Sequence, residues 1–483
     1  MKLFRRMFAL TMVLALLLSM SLTVLAADIA TADEFYTQYG AGETTFNLVD
    51  NITAKIEFEA KEDTSYTFGS EDGYTMNMVV VHGSGSVAVD TGIENYLYVG
   101  DTANVTVSKD VNTSVLVDDN ATANITENVN GNLAVSDQAT VSVGGDVNGN
   151  LRVTDDVDQN NTAKVTVEGN VNGELEANGY AEVTVGGNVD GYLVADDDAE
   201  VTVAGNANNG LDAYDNAEVT VGGDVNDYLF AGDDAEVTVG GNVDGYVEAI
   251  EDAQVTVDGD VDGTLRAMDH AQVSVEGNLN NSLFAQATAT ITVAGNVTGS
   301  AQGGVGFPAL VIAAVPADEK LGSITVQGDV RSGKVTGENQ QQYPDIYIGV
   351  DEGITGLPSI TVGSYETIGG ENMRNAEPMT DEELEAIKAT IKTTSKGESK
   401  QAPDIFWPNL IAKIRKANPG DEITINVYGR KSIPASVIEA VRQYDVKLII
   451  KWNGGDDLVI TKDFTAEVKG DILLKDLAEM LKK

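Results

Sequence analysis

The sequence has no cysteine and only two histidines, His82 and His270. Disulfides and thiolate metal centres are therefore excluded, and a multi-histidine zinc or copper site lacks ligands. Aromatic residues make up 6% of the chain, against 50 glycines. A compact domain of this length packs more rings, whereas a repeat fold closes its core with small aliphatic side chains in columns. Basic residues are scarce too. There are 30 Lys and Arg against 76 Asp and Glu, a net charge of −46. That balance argues against nucleic acid as a partner, because phosphate binding needs Lys and Arg. It suits solubility and divalent cations. Between Thr91 and Ser300 the only bases are Lys109, Arg152, Lys164 and Arg266. From Asp381 to Lys483 the two signs balance, 17 against 17, so the negative charge lies upstream. At 483 residues the chain exceeds one ordinary core, and two or more folding units are expected.

The N-terminus carries Lys2, Arg5 and Arg6, then an apolar run from Met7 to Leu18, then Val24-Leu25-Ala26. This pattern is that of a secretory signal peptide cut after Ala26. No later segment reaches the roughly 18 apolar residues that a membrane span needs. The mature protein is expected outside the cell, secreted or held at the surface by noncovalent contacts, with no membrane span.

The body of the chain repeats. One unit runs from Ala181 to Asp198, and the next begins at Ala199. The Val between two Asn/Asp residues recurs as Val111, Val129, Val147, Val171, Val189, Ala207, Val225, Val243, Val261, Leu279 and Val297. Each step is 18 residues except Val147 to Val171, which is 24. Ile93 extends the series upstream. A fixed period over this length is the signature of a solenoid. Within a unit, Ala181, Val183 and Val185 alternate with Glu182 and Thr184, the period of a strand. Val and Thr are β-branched, and Gly-Gly-Asn, Asp-Gly and Asp-Asp-Asp clusters supply the turns. Eighteen residues cannot bury an apolar face alone, but stacked in register they form a continuous core. The expected fold is mainly β: a parallel β-helix with 18 residues per rung, followed by a small α+β domain. Three sixes allow a left-handed hexapeptide helix. The longer Val-Thr-Val strand makes the thirds unequal and favours a right-handed one. The excess near Asp158–Thr162 reads as a corner loop.

The rung pattern Gly-x-Val-x-Gly-x-Leu-x-Ala resembles that of the bactofilins, polymer-forming β-helices of the bacterial cytoskeleton. The export signal and the Asp/Asn-rich turns depart from that family, so no cytoskeletal role is carried over. The layout looks more like that of secreted β-helix surface proteins of Gram-positive bacteria. Segments 417–427, 433–437 and 446–452 are similar to a module of such proteins. That resemblance implies surface localisation and assigns no catalytic residue.

The expected divisions are a signal peptide (1–26), an N-terminal cap with irregular first rungs (27–90), the solenoid with degenerate last rungs (91–372), a linker with a helix (373–405) and the α+β domain (406–483). Thr31–Tyr39 reads as a capping helix. Gly303–Ala317 reads as an inserted hairpin or a rung edge. Thr380-Asp-Glu-Glu383 is a capping box opening a helix to about Lys392.

Four features invite function. Outward Thr residues, among them Thr184, Thr202, Thr220, Thr238, Thr256 and Thr292, form a column that reads as cross-strand stacking rather than an ice-binding array. Asp197, Asp215, Asp233, Glu251 and Asp269 stack along a turn. Carboxylates about 5 Å apart repel; bound Ca²⁺ would relieve this, and so would splaying into screened solvent. No other cofactor is expected. Tyr192, Tyr228 and Tyr246 share one repeat position, with Tyr180 nearby, and the column is broken at Asn209-Gly210. A short Tyr strip could stack on sugars. Finally, catalysis needs a singular constellation on interrupting loops, whereas these acids repeat from rung to rung. The expectation is a non-catalytic, adhesin-like surface protein, with cell-wall or host glycans or surface proteins as partners. The alternative is a β-helix that binds or cleaves carbohydrate.

Overall fold

The computed structural model describes residues 26–155, 162–302, 305–316, 319–334, 341–350, 356–372, 377–394, 406–427, 432–452, 457–466, 468 and 470–482. The signal peptide expected over 1–26 lies, apart from Ala26, outside the described residues. So do most of the corner loop, the polar stretch 395–400 and the turn at 453–455.

The fold is a parallel β-helix with a small α+β region. It divides into two compact units. One runs to Gly210 and includes Asn216–Val219; the other holds Leu211–Asp215 and everything from Thr220.

In the first unit each rung has two strands and one bridging residue. Glu182–Val185 pairs in parallel with Lys164–Val167 and with Glu200–Val203, Val on Val and Thr on Thr. Leu193–Ala195 pairs with the strand Leu175–Asn178. Val189 makes a single bridge to Val171 and to Ala207. In this rung the unequal thirds become four residues, one residue and three. Ala181, Val183, Val185, Val189, Leu193 and Ala195 are buried, as alternation requires. Each buried Val is worth about 1.5–3 kcal/mol, and none could be buried without its neighbour rungs. The 24-residue step keeps register, with Val147 bridging Val171. Its excess falls between Thr154 and Lys164, where pairing resumes with Thr140–Val143.

The turns carry a hydrogen-bond ladder. The side-chain oxygen before each bridging residue accepts the backbone N–H of the same position one rung on. Asp110 accepts from Asn128, Asn128 from Asp146, Asp146 from Asn170, Asn170 from Asn188 and Asn188 from Asn206, at 2.7–2.9 Å. This accounts for Asn or Asp at that position, because a backbone donor turned away from both strands needs a partner. It also accounts for the preceding glycine. A Cβ on Gly205 would lie 2.2 Å from the Asn188 Oδ1 that crosses it.

The N-terminal end is plugged. Helix Ala32–Gly40 opens on a Thr31–Glu34 capping box, within one residue of expectation. Phe35 points into the end of the helix, with ring centroids 5.0 Å from Phe46 and 5.4 Å from Phe58. Irregular first rungs follow, with strands Thr45–Leu48, Ile52–Ala60, Ser65–Gly69, Met76–Gly83 and Ser86–Asp90.

The second unit continues the pattern. Glu236–Val239 pairs with Gln254–Val257, and Val247–Ala249 with Leu229–Ala231 and Leu265–Ala267. The last rungs lengthen. Ser323–Arg331 pairs with Thr290–Val293 and with Ser359–Ser364. The segment after Ser300 is both a hairpin and a rung: Ala301–Gln302 turns back on Val305–Gly306, while Leu310–Ala313 pairs with Leu283–Gln286. The capping box at Thr380 forms, but its helix ends at Lys388. Lys392–Thr393 instead pairs with Thr361–Val362.

In the α+β region, Glu422–Asn426 pairs in parallel with Lys447–Lys451, which pairs antiparallel with Leu458–Ile460. Helices Phe406–Lys416, Ala435–Tyr444 and Leu474–Leu481 supply Leu410, Ile414, Val437, Val441 and Leu477 to its core. Asp471–Leu473 is a strand against Ser432–Pro434, and the last helix follows it directly.

Candidate functional site

The acidic column is a backbone device before it is anything else. Asp101, Asp119, Asp137, Asp197, Asp215, Asp233, Glu251 and Asp269 all have positive φ, between 51° and 60°. Asp tolerates this left-handed conformation better than most residues. In the first unit each carboxylate also reaches back to the preceding rung. Asp101 accepts from the N–H of Gly83, Asp119 from that of Asp101, and Asp197 from that of Gly179, at 2.8–3.2 Å. In the second unit, Glu251 is pushed above the usual carboxylate range, first by Asp233 and further by Asp269 and Asp252. The expected repulsion between rungs is thus present. Such a column can attract hard cations or simply take up protons.

The Thr column is not a flat wet array. Thr184, Thr202 and Thr220 are half-buried, and Thr256, Ser274 and Thr292 are buried, Ser274 with 1% exposure.

The tyrosines separate. Tyr180 is half-buried at a turn. Tyr192, in the first unit, is 44% exposed. The column is interrupted at Gly210, whose φ is +108°. In the second unit Tyr228 and Tyr246 come together, with rings parallel within 9° and centroids 5.2 Å apart. The Tyr228 hydroxyl donates to Asp212 Oδ2 at 2.9 Å. Burial raises the Asp212 pKa, and the Tyr228 hydrogen bond only partly offsets this.

Around this pair lie residues that the Tyr spacing alone does not pick out. The outward second residue of the strand that begins at Leu211 and of its stacked partners is Asp212, Phe230, Glu248, Arg266 and Phe284 on successive rungs. Glu248 pairs with Arg266 at 3.2 Å. Phe230 meets Tyr214 with centroids 5.2 Å apart. A Cβ on Gly232 would lie 3.2 Å from the Phe230 ring, so this glycine lets the ring lie down on the sheet. Phe284 is 41% exposed. Their only signal in the sequence is variation: the residue changes from rung to rung here, as it does at the two flanking positions.

No protein-family model, curated protein or solved structure matches this chain.

A second candidate, in the first unit, is an open cleft of about 270 Å³ lined by Asp90, Glu94, Asp110 and Glu127 around Lys109. It is shallow and polar, and lacks the enclosed apolar wall typical of a small-molecule site. No helix among the described residues is long and apolar enough to cross a membrane.

Proposed function

We propose that the protein works outside the cell as a non-catalytic, adhesin-like surface protein that displays side chains on a rigid β-helix. The observation that carries this reading is the Tyr228–Tyr246 stack on a regular sheet. Parallel rings held on a stiff scaffold, Tyr246 exposed and Tyr228 half-buried, lose little entropy on binding, and aromatic residues with a polar handle are favoured at interfaces. The turn acids of the first unit are engaged in holding backbone N–H groups, which supports a structural rather than a chemical use for them. The export signal and the surface-protein likeness of the α+β region support the location.

The experiment is protease shaving of intact cells, with fractionation and N-terminal sequencing of the released chain. The expected result is cell-surface or medium fragments beginning at Ala27, and weaker surface attachment in a deletion strain. Retention of the full chain in the cytoplasm refutes the proposal. Carbohydrate binding is the second reading, favoured by the same stack.

A further inference from the structure

The outer face of the second unit has an order that a merely solvated surface does not need. Three columns run side by side. The middle one is Asp212, Phe230, Glu248, Arg266, Phe284. Tyr228 and Tyr246 flank it on one side, since each precedes a strand by one residue. Tyr214, Ile250 and Met268 flank it on the other, since each follows a strand. Tyr246 is 46% exposed, and Tyr214, Tyr228, Phe230, Ile250 and Met268 are half-buried. Two ridges of rings and apolar side chains thus border a strip in which carboxylates and a guanidinium alternate with phenyl rings.

A protein partner wants the centre of such a patch depleted of charge, and here the charges sit in the centre. A polyanion, whether nucleic acid or acidic polysaccharide, meets a chain of net charge −46 and is repelled. An uncharged ligand rich in hydroxyls, with apolar ring faces, suits both parts of the surface. Its C–H faces lie on the aromatic rings. Its hydroxyls donate to Asp212 and Glu248 and accept from Arg266. The rungs succeed one another at about 4.8 Å, so the rings and polar groups extend over several rungs, which favours an extended polymer over a single small molecule.

We propose that this face binds an extended, neutral polysaccharide, with sugar rings stacked on Tyr228 and Tyr246 and hydroxyls bonded to Asp212, Glu248 and Arg266. This rests on the adhesive reading above and names its ligand class.

The test is affinity electrophoresis of the purified mature chain through gels containing hydroxyethylcellulose, xylan or galactomannan, with polygalacturonate as the acidic control. The expected result is retardation by at least one neutral polymer and none by polygalacturonate. Tyr246→Ala, at an exposed position, should weaken that retardation about tenfold with an unchanged circular dichroism melt. Tyr228→Phe keeps the ring and loses the Asp212 bond, and should cost two- to threefold. No retardation by any of the three neutral polymers overturns the proposal. So does retardation that Tyr246→Ala leaves intact, or equal retardation by polygalacturonate. Because the assay uses purified protein, its failure leaves the cellular location standing, and a cytoplasmic location would not by itself abolish binding here.

Discussion

Asp119 offers a sharp test of what the acidic column is for. Its φ is 55°, its carboxylate accepts the Asp101 N–H at 3.0 Å, and its own N–H reaches the Asp137 carboxylate at 3.4 Å. Asp119→Ala loses the acceptor and places a Cβ-bearing residue without a polar side chain in the left-handed region. The conformation costs roughly 1–2 kcal/mol, and the hydrogen bond, at an exposed site, roughly 0.5–1 kcal/mol. The sum is about 1.5–3 kcal/mol. Asp119→Gly relieves the conformation and loses only the bond, about 0.5–1 kcal/mol. Asp119→Asn keeps both and removes a like charge between Asp101 and Asp137, so it should fall within about 0.5 kcal/mol of wild type. Solenoid stability is local, so the assay is amide hydrogen exchange across residues 100–137. At 1.4 kcal/mol per decade, Asp119→Ala should speed local opening about 10- to 100-fold, Asp119→Gly by less than tenfold, and Asp119→Asn hardly at all. Equal effects of Ala and Asn would refute the backbone explanation. Gly as damaging as Ala would refute its conformational half.

In the second unit, Glu251→Gln should raise the melting temperature at pH 7, because it removes a carboxylate that Asp233 repels. The Glu251 pKa is raised on folding, so wild type regains this stability as the pH falls through the folded value towards the ordinary 4.5. An advantage of the variant that grows on acidification would contradict this. Millimolar Ca²⁺ that raises the wild-type melt more than NaCl of equal ionic strength would mark the column as an ion site. Asp345 is buried but accepts the N–H groups of Ser332, Glu366 and Thr367 at 2.7, 2.6 and 3.0 Å. Burial alone would raise its pKa, yet these donors outweigh it and hold the carboxyl below its usual range. Its stabilisation is therefore full above the ordinary value near 3.8 and is lost as the pH falls through the folded one. Asp345→Ala orphans three donors and should cost about 3 kcal/mol or more at pH 7, read by urea denaturation; a loss under 1 kcal/mol would show that water replaces the carboxylate. Phe35→Ala empties the plug at the N-terminal end and should cost about 3–5 kcal/mol locally. It should also expose strand edges, with concentration-dependent association in sedimentation velocity; a stable monomer with an unchanged melt would mean that the helix does not guard the end.

Much of this molecule is legible in one dimension. The strand direction, the parallel register and the inward set follow from an 18-residue period and a two-residue alternation. A rung placed on an identical rung leaves each side chain only one kind of neighbour. The same logic carried through the 24-residue step, where Val147 still bridges Val171. It weakened where the repeat ended. Lys392–Thr393 continues the sequence of a capped helix yet joins a sheet, because the open strand edge at Thr361–Val362 offers partners that the helix terminus lacks. The sequence also marked Tyr228 and Tyr246 by their shared position. Only the tertiary structure brought Asp212, Phe230, Glu248 and Arg266 beside them. The physical reason is that a period states which residues share a column. It does not state which columns are adjacent, how far a ring leans over a glycine, or which carboxylate a hydroxyl can reach.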